Sequence, residues 1–220
     1  MKLSILCPTR RRYERLVQSL DTLFGKSSGD NQLELLLAFD DDDLDTRDEC
    51  KKYIDKNFKD VETKYSITER YSYVHLNKYI NDLCAIATGD WLVFWSDDVL
   101  METQDWDKII EEHKDEFLLL SPVVSNRPEF PGTMFPILPK KWYDELGHFS
   151  LNCHNDTWVE EIAKSLGIFK FVPMYVNHIR RQIMDSTAQE RVEDTENFLS
   201  EENKRLRKED ADKLRKFVNG

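Results

Sequence analysis

The chain alternates short apolar runs with stretches whose apolar residues recur at helical spacing. Lys2 to Cys7 is an apolar run stopped by Pro8 and reads as a buried strand. From Arg12 to Phe24 the apolar positions are Leu16, Leu20, Leu23 and Phe24, which share one helix face. A polar loop, 25–31, separates this helix from a second apolar run, Leu33 to Phe39, which ends abruptly in Asp40-Asp41-Asp42-Asp43. A helix is expected from Thr46 to Phe58, a third strand from Val61 to Ile67, and a third helix from Val74 to Thr88, closed by Gly89. Trp91 to Trp95 is the most apolar strand, and Ser96-Asp97-Asp98 terminates it.

Strand–helix alternation of this kind predicts a largely parallel sheet with helices on both faces. Ligands of such sheets sit outside the carboxyl ends of the strands. Three polar clusters fall at those ends: Pro8-Thr9-Arg10, Asp40 to Asp43, and Ser96-Asp97-Asp98. They are therefore expected to meet along one edge.

The second half is less regular. It predicts a helix over 107–117, a strand over 118–124, a proline-rich loop over 127–139, a short helix over 140–146 ended by Gly147, a helix over 156–166 ended by Gly167, and a strand over 169–176 leading into His178. Beyond it, Val192, Leu199, Leu206 and Leu214 form a helical stripe, and Ser200 is placed to cap a new helix. The stripe suits packing on its own domain or on a partner, so the oligomeric state stays open.

Charge narrows the partners. Across 220 residues, 31 Lys+Arg against 42 Asp+Glu give a formal net charge of −11. Phosphate gripping by nucleic-acid-binding proteins depends on Lys and Arg releasing counterions, so no nucleic-acid partner is expected. An anionic membrane surface is disfavoured for the same reason. No apolar run approaches the ~20 residues of a membrane span. The four cysteines form no CxxC pair and read as thiols of a reducing compartment, with a cytoplasmic location expected.

The carboxylates suggest chemistry. Paired Asp directly after an apolar strand can place a hard divalent cation at a pocket floor, substrate phosphates completing its shell. The same pair also suits a plain capped turn. An EF-hand is excluded, because counting from Asp41 puts Thr46 and Lys52 where Gly and Glu are required. The other aspartates of that loop suit a solvated turn. His178 is either a structural residue or a further metal ligand. Asp156, in His154-Asn155-Asp156-Thr157-Trp158, is either a helix N-cap or a general base.

Taken in order, LSILCPTRRRYERLVQSLDTL, LELLLAFDDDD, LNKYINDLCAIATGDWLVFWSDDVLM and HNDTWVEEIAKSLG resemble the large inverting glycosyltransferase family often called family two, which has the glycosyltransferase-A fold. The resemblance covers roughly residues 2–180. It implies an α/β, Rossmann-like, mostly parallel sheet flanked by helices, followed by a helical C-terminal tail. Residues 1–180 would form one catalytic domain, with a nucleotide-binding half (1–99) and an acceptor half (100–180), and 181–220 a helical extension. The tail, containing MDST, is similar to those of small glycosyltransferase-like proteins of viruses and phages.

Residue by residue, the resemblance implies that Pro8, Thr9 and Arg10 line the base pocket and that Asp40 or Asp41 accepts a hydrogen bond from the base. Asp97 would lie near the ribose or metal. Asp98 and His178 would hold manganese or magnesium, with Arg180 or Arg181 assisting at the diphosphate. Asp156 would deprotonate a glycan or other acceptor hydroxyl. The implied reaction is metal-dependent, inverting transfer of one sugar, of hexosyltransferase type, from a nucleotide-diphosphate sugar, UDP favoured. The Gln-x-x-Arg-Trp motif of polymer-making members is missing, which points to single-sugar transfer. Trp142 and the proline-rich stretch would meet the acceptor, unless Trp142 is core. The rivals are a non-catalytic member binding a sugar nucleotide or a protein, and a nucleotidyltransferase. The latter class carries a glycine-rich loop that Pro8 to Arg12 lacks.

Overall fold

The computed structural model describes residues 1–179 and 198–219. In chain order the elements are β1 (Lys2–Pro8), α1 (Tyr13–Gly25), β2 (Gln32–Asp40), α2 (Leu44–Asn57), β3 (Glu62–Thr68), a 3-10 turn (Tyr73–His75), α3 (Leu76–Ile86), β4 (Trp91–Phe94), β5 (Val99–Met101), α4 (Trp106–Glu111), β6 (Leu119–Val124), β7 (Ile137–Pro139), α5 (Lys140–Leu146), α6 (Asn155–Leu166), β8 (Phe169–His178) and α7 (Glu201–Asn219).

The strands form one sheet, in the order β3-β2-β1-β4-β7-β6-β8-β5. The first four lie parallel. β1 and β4 have nearly continuous buried runs, as expected of strands covered on both faces. β1 pairs with β2 on one side and β4 on the other, so the chain order reverses there. That reversal opens a crevice at the carboxyl ends of β1 and β4. In the second half, β7 runs antiparallel to β4 and β6, and β5 antiparallel to β8, whereas β6 and β8 are parallel. The expected mostly parallel α/β architecture with a C-terminal helix is the one observed.

Four expectations need correction. β5 has three residues and follows the acidic turn without a periodic signature of its own. β7, also three residues, lies inside the stretch expected to be a loop, between β4 and β6, its prolines confined to the residue before it and its last position. The third helix begins later, after a 3-10 turn, and ends earlier than predicted, its last turn giving way to extended backbone at Ala87. Gly89 is therefore not its terminator. A Cβ at Gly89 would lie 2.5 Å from Ser4 Oγ, 2.8 Å from Ser4 N and 2.9 Å from Lys2 O, so the residue is required for close backbone approach to β1. Gly147 and Gly167 do end their helices in the left-handed conformation, at φ 80° and 70°.

Below the crevice, at the amino end of the sheet, Glu34 is fully buried inside an otherwise apolar strand. It accepts hydrogen bonds from Ser4 Oγ, Thr88 N (2.5 Å), Thr88 Oγ1 (2.7 Å) and Gly89 N (3.0 Å), and pairs with Lys64 (3.1 Å) and Lys2 (3.2 Å). Burial opposes its ionisation, but these donors outweigh it and hold the carboxyl at about 2. The network ties the turn before β4 to β1, β2 and β3.

Candidate functional site

The crevice is a cleft lined by the residues after β1 (Pro8, Thr9, Arg10, Arg12), the end of β2 (Ala38, Asp40), the approach to α3 and its first turns (Arg70, Ser72, Tyr73, Leu76, Tyr79), and the end of β4 (Phe94, Trp95, Ser96, Asp97). The three polar clusters do converge. Thr9 Oγ1 donates to Asp97 Oδ2 (2.7 Å), and Arg10 Nη1 donates to Asp40 Oδ2 (2.6 Å).

The acidic loop after β2 is only partly solvated. Asp41 and Asp42 are exposed, but Asp40 and Asp43 are buried. Asp43 accepts from Arg11 N (2.7 Å) and Thr46 Oγ1 (2.7 Å), fixing the loop after β1 while Arg11 takes a φ of 51°. Asp40 receives Arg10 on one oxygen and the Tyr79 hydroxyl on the other. Arg10 reaches on to Asp42, which raises its own pKa and holds the Asp42 carboxyl at about 2. Asp40 thus forms the cleft floor, whereas Asp41 does not line it.

The turn after β4 is gripped by α1. Ser19 Oγ donates to Val99 O (2.6 Å) and accepts from Trp95 Nε1 (2.8 Å), and Thr22 Oγ1 accepts from Met101 N (3.0 Å). Between those anchors lie two aspartates in different environments. Asp97 is buried, and Asp98 adds repulsion, so its carboxyl rises to about 6 despite Arg12 Nη1 at 3.0 Å and Thr9. Burial also works against Asp98, but His178 and Ser96 outweigh it and hold the carboxyl at about 2. Asp98 Oδ1 accepts from Ser96 Oγ (2.6 Å) and lies 3.3 Å from His178 Nε2.

His178 is brought there by the pairing of β5 with β8, in which Val99 faces His178, and by Ile179 N donating to Asp98 O at 2.8 Å. Its ring stands edge-on to Phe135, and its Nδ1 is buried with no hydrogen-bond partner among the described residues. An anionic carboxylate oxygen and an imidazole nitrogen this close suit adjacent ligands of a divalent ion, which spans about 3 Å between neighbouring donors at ~2.1 Å each. Among the described residues no cluster of three or more His, Cys, Asp or Glu could hold a metal by itself. Two protein ligands plus substrate oxygens is the arrangement these residues fit.

Asp156 does not cap its helix. His154 is the N-cap residue, and Asp156 stands in the first turn of α6. Burial raises its pKa, opposed by Thr157, whose backbone N–H donates to Oδ1 at 2.8 Å. The segment before α6 is anchored to the cleft wall. Asn81 of α3 accepts from Phe149 N (2.7 Å) and donates to Ser150 O (2.9 Å), and Phe149 stacks on Phe94 at 6.1 Å. Asp156 is not among the residues lining the cleft itself. Trp142 is completely buried and stacks on Phe117, so it is core and not an acceptor platform. Arg180 and Arg181 lie outside the described residues.

Sequence reasoning missed Arg12, Ser19 and Tyr79. Ser19 and Tyr79 sit on helices whose apolar face was the visible signal, and Arg12, the residue before α1, ends the Arg10-Arg11-Arg12 run without a pattern of its own.

A nucleotide-type α/β half with acidic groups at its switch point, joined to a carboxylate–imidazole pair, is the glycosyltransferase-A arrangement. Residues 4–153 match the sequence profile described as Glycosyl transferase family 2. The chain belongs to that family. No curated protein sequence matches it significantly. Among solved structures, S. aureus TarS 1-349 in complex with UDP-GlcNAc superposes with a TM-score of 0.63 at 13 % identity, covering 87 % of this chain and 62 % of that one. Mannosyltransferase PcManGT from Pyrobaculum calidifontis, in complex with GDP-Man and Mn2+, gives a TM-score of 0.64 at 13 % identity, covering 82 % and 58 %. The chain thus spans about three-fifths of the length of these structures. Among the described residues no helix is long and apolar enough to cross a membrane.

Proposed function

We propose that the protein transfers a single sugar from a nucleotide-diphosphate sugar to an acceptor hydroxyl with inversion at the anomeric carbon. The observation that carries this reading is the Asp98–His178 pair beside the cleft at the β1/β4 crevice. The base and ribose would lie along Pro8, Thr9, Arg10 and Tyr79, over the Asp40 floor, with Asp97 near the ribose. Both oxygens of Asp40 already accept hydrogen bonds, so it orders Arg10 and Tyr79 as well as meeting a ligand. UDP is the favoured nucleotide by the family resemblance; folds like this one hold UDP-GlcNAc and GDP-Man alike, so a GDP-linked donor is the alternative.

Asp98 and His178 would hold a manganese or magnesium ion, which would supply charge neutralisation on the departing diphosphate. The protein's own residues do the rest. Ser96 and His178 keep Asp98 anionic at neutral pH. Asp156, with its raised pKa, removes the acceptor proton as the oxygen attacks the face opposite the leaving group. One displacement inverts the configuration, by the logic that separates inverting from retaining hydrolases.

Thermal shift with UDP-N-acetylglucosamine, UDP-glucose and GDP-mannose, each with and without Mn2+, tests the reading, because a ligand of the folded state raises Tm by mass action. A metal-dependent rise with one of them is expected. No rise with any, in well-folded protein, refutes it. The non-catalytic alternative is separated by Asp156→Asn, which as an enzyme variant should bind the donor and turn it over about a hundredfold or more slower, leaving a measurable residual rate.

A further inference from the structure

The helical stripe of the tail predicts leucines on the docking face of the C-terminal helix. Leu214 is buried there and Leu206 packs half-buried against the core, whereas Leu199 is exposed and Val192 lies outside the described residues; the same face also buries Asn203, Arg207, Asp210 and Ala211. Buried charges are costly unless fully partnered, so this interface needs a reason beyond adhesion.

The partners of those charges lie on both sides of Asp156. Asp210 Oδ2 accepts from Trp158 Nε1 (3.1 Å) and lies 2.9 Å from His148 Nε2. Arg207 sits over the Trp158 ring (5.4 Å) and the Phe198 ring (4.1 Å). Its Nη1 donates to Phe198 O (2.9 Å), and its Nε pairs with Glu161 of α6 (2.7 Å). Phe198 in turn packs edge-on against His154 at 5.3 Å. His154 and Trp158 are the residues two before and two after Asp156. The C-terminal helix therefore grips α6 directly at Trp158 and Glu161, and through Phe198, just before the helix and held by Arg207, it reaches His154 on the other flank of the proposed base.

We infer that Arg207 and Asp210 are positioning residues for Asp156: the C-terminal helix holds the first turn of α6 in the orientation that aims this carboxylate. The inference rests on the reading of Asp156 as the base. A misplacement of about 1 Å in a reacting group costs on the order of a hundredfold in rate, so a clamp of this kind acts on turnover and not on donor binding. The donor cleft is built from β1, β2, α3 and β4, which α7 does not form.

The test is a double-mutant cycle on the full chain. The probe reaction is nucleotide release from UDP-N-acetylglucosamine, UDP-glucose and GDP-mannose with Mn2+ and water as acceptor, followed at high enzyme concentration. Arg207→Met is expected to lower kcat about tenfold or more while donor KM and the donor-induced rise in Tm stay within about twofold of wild type. Arg207→Lys should recover part of the loss. On the Asp156→Asn background the same Arg207→Met change should cost almost nothing, because its route of action is already gone. A full additional loss on that background overturns the proposal, as does an unchanged kcat in folded Arg207→Met. If Arg207→Met fails to fold, Trp158→Phe keeps the ring beneath Arg207 and removes only the donor to Asp210. It is expected to lower kcat about threefold on the wild-type background alone, and an equal loss on both backgrounds overturns the proposal. Full turnover by Asp156→Asn defeats the base assignment itself, and is told apart from failure of the clamp by that single variant.

Discussion

His178 Nε2 lies 3.3 Å from Asp98 Oδ1, although the two residues are far apart in sequence. The register of β5 on β8 sets this distance, since Val99 pairs with His178 and the Ile179 amide bonds the Asp98 carbonyl. Removing either side chain would leave one of the two proposed ligands for a cation. Asp98→Asn and His178→Ala are each expected to abolish the Mn2+-dependent part of the nucleotide-sugar thermal shift. Turnover should fall by about a hundredfold or more, in line with loss of electrostatic stabilisation of a leaving group. Calorimetric titration of Mn2+ into protein with UDP checks the binding half, and unchanged affinity would count against the pair as ligands.

Ser19 links α1 to the acidic turn. Its hydroxyl takes the Trp95 indole N–H and gives its proton to Val99 O, with all three groups in the core. Ser19→Ala strands a buried donor and an acceptor, at a cost of about 1–3 kcal/mol. Urea unfolding should show that loss, and donor affinity should weaken because the turn bearing Asp97 and Asp98 is released. A loss of stability without weaker donor binding would confine Ser19 to the core.

Glu34 makes stability depend on pH. Its pKa is about 2 in the folded protein against an ordinary 4.5. A depressed carboxylate contributes stability above its unfolded pKa, and that contribution disappears as pH falls from about 4.5 toward 2. Glu34→Gln should therefore be less stable than wild type by about 3 kcal/mol at pH 7. The gap should shrink steadily in denaturation curves taken at pH 4, 3 and 2. A gap independent of pH would mean the effect is steric.

Gly89 admits no side chain without movement of β1, since two of the three nearest atoms are backbone. Gly89→Ala is expected to destabilise by roughly 1–3 kcal/mol through overpacking. Ser4→Ala, combined with it, should relieve only the contact with Ser4 Oγ and leave most of the loss. Comparing Tm for the two single variants and the double variant decides this.

The residues fix a good deal by themselves. Apolar runs ending at Pro8, Asp40 and Asp97 are local signals of strands buried on both faces, and helical spacing between them dictates right-handed crossovers and a parallel sheet. Carboxyl ends of parallel neighbours lie on one edge, so the meeting of Thr9, Arg10, Asp40 and Asp97 follows from order alone. Other features depend on contacts between distant segments, which no local pattern encodes. β5, at the sheet edge, and β7, between β4 and β6, are three-residue pieces that exist only by pairing, and no local pattern shows the β5–β8 register that brings His178 to Asp98. Burial of Asp43, Glu34, Arg207 and Asp210 is likewise a tertiary outcome. Charged residues read as solvent-facing until partners from other elements satisfy them, and those partners appear only when the chain is folded. Trp142 was ambiguous for the converse reason, because an aromatic ring suits a core or a sugar equally well and only packing on Phe117 assigned it to the core.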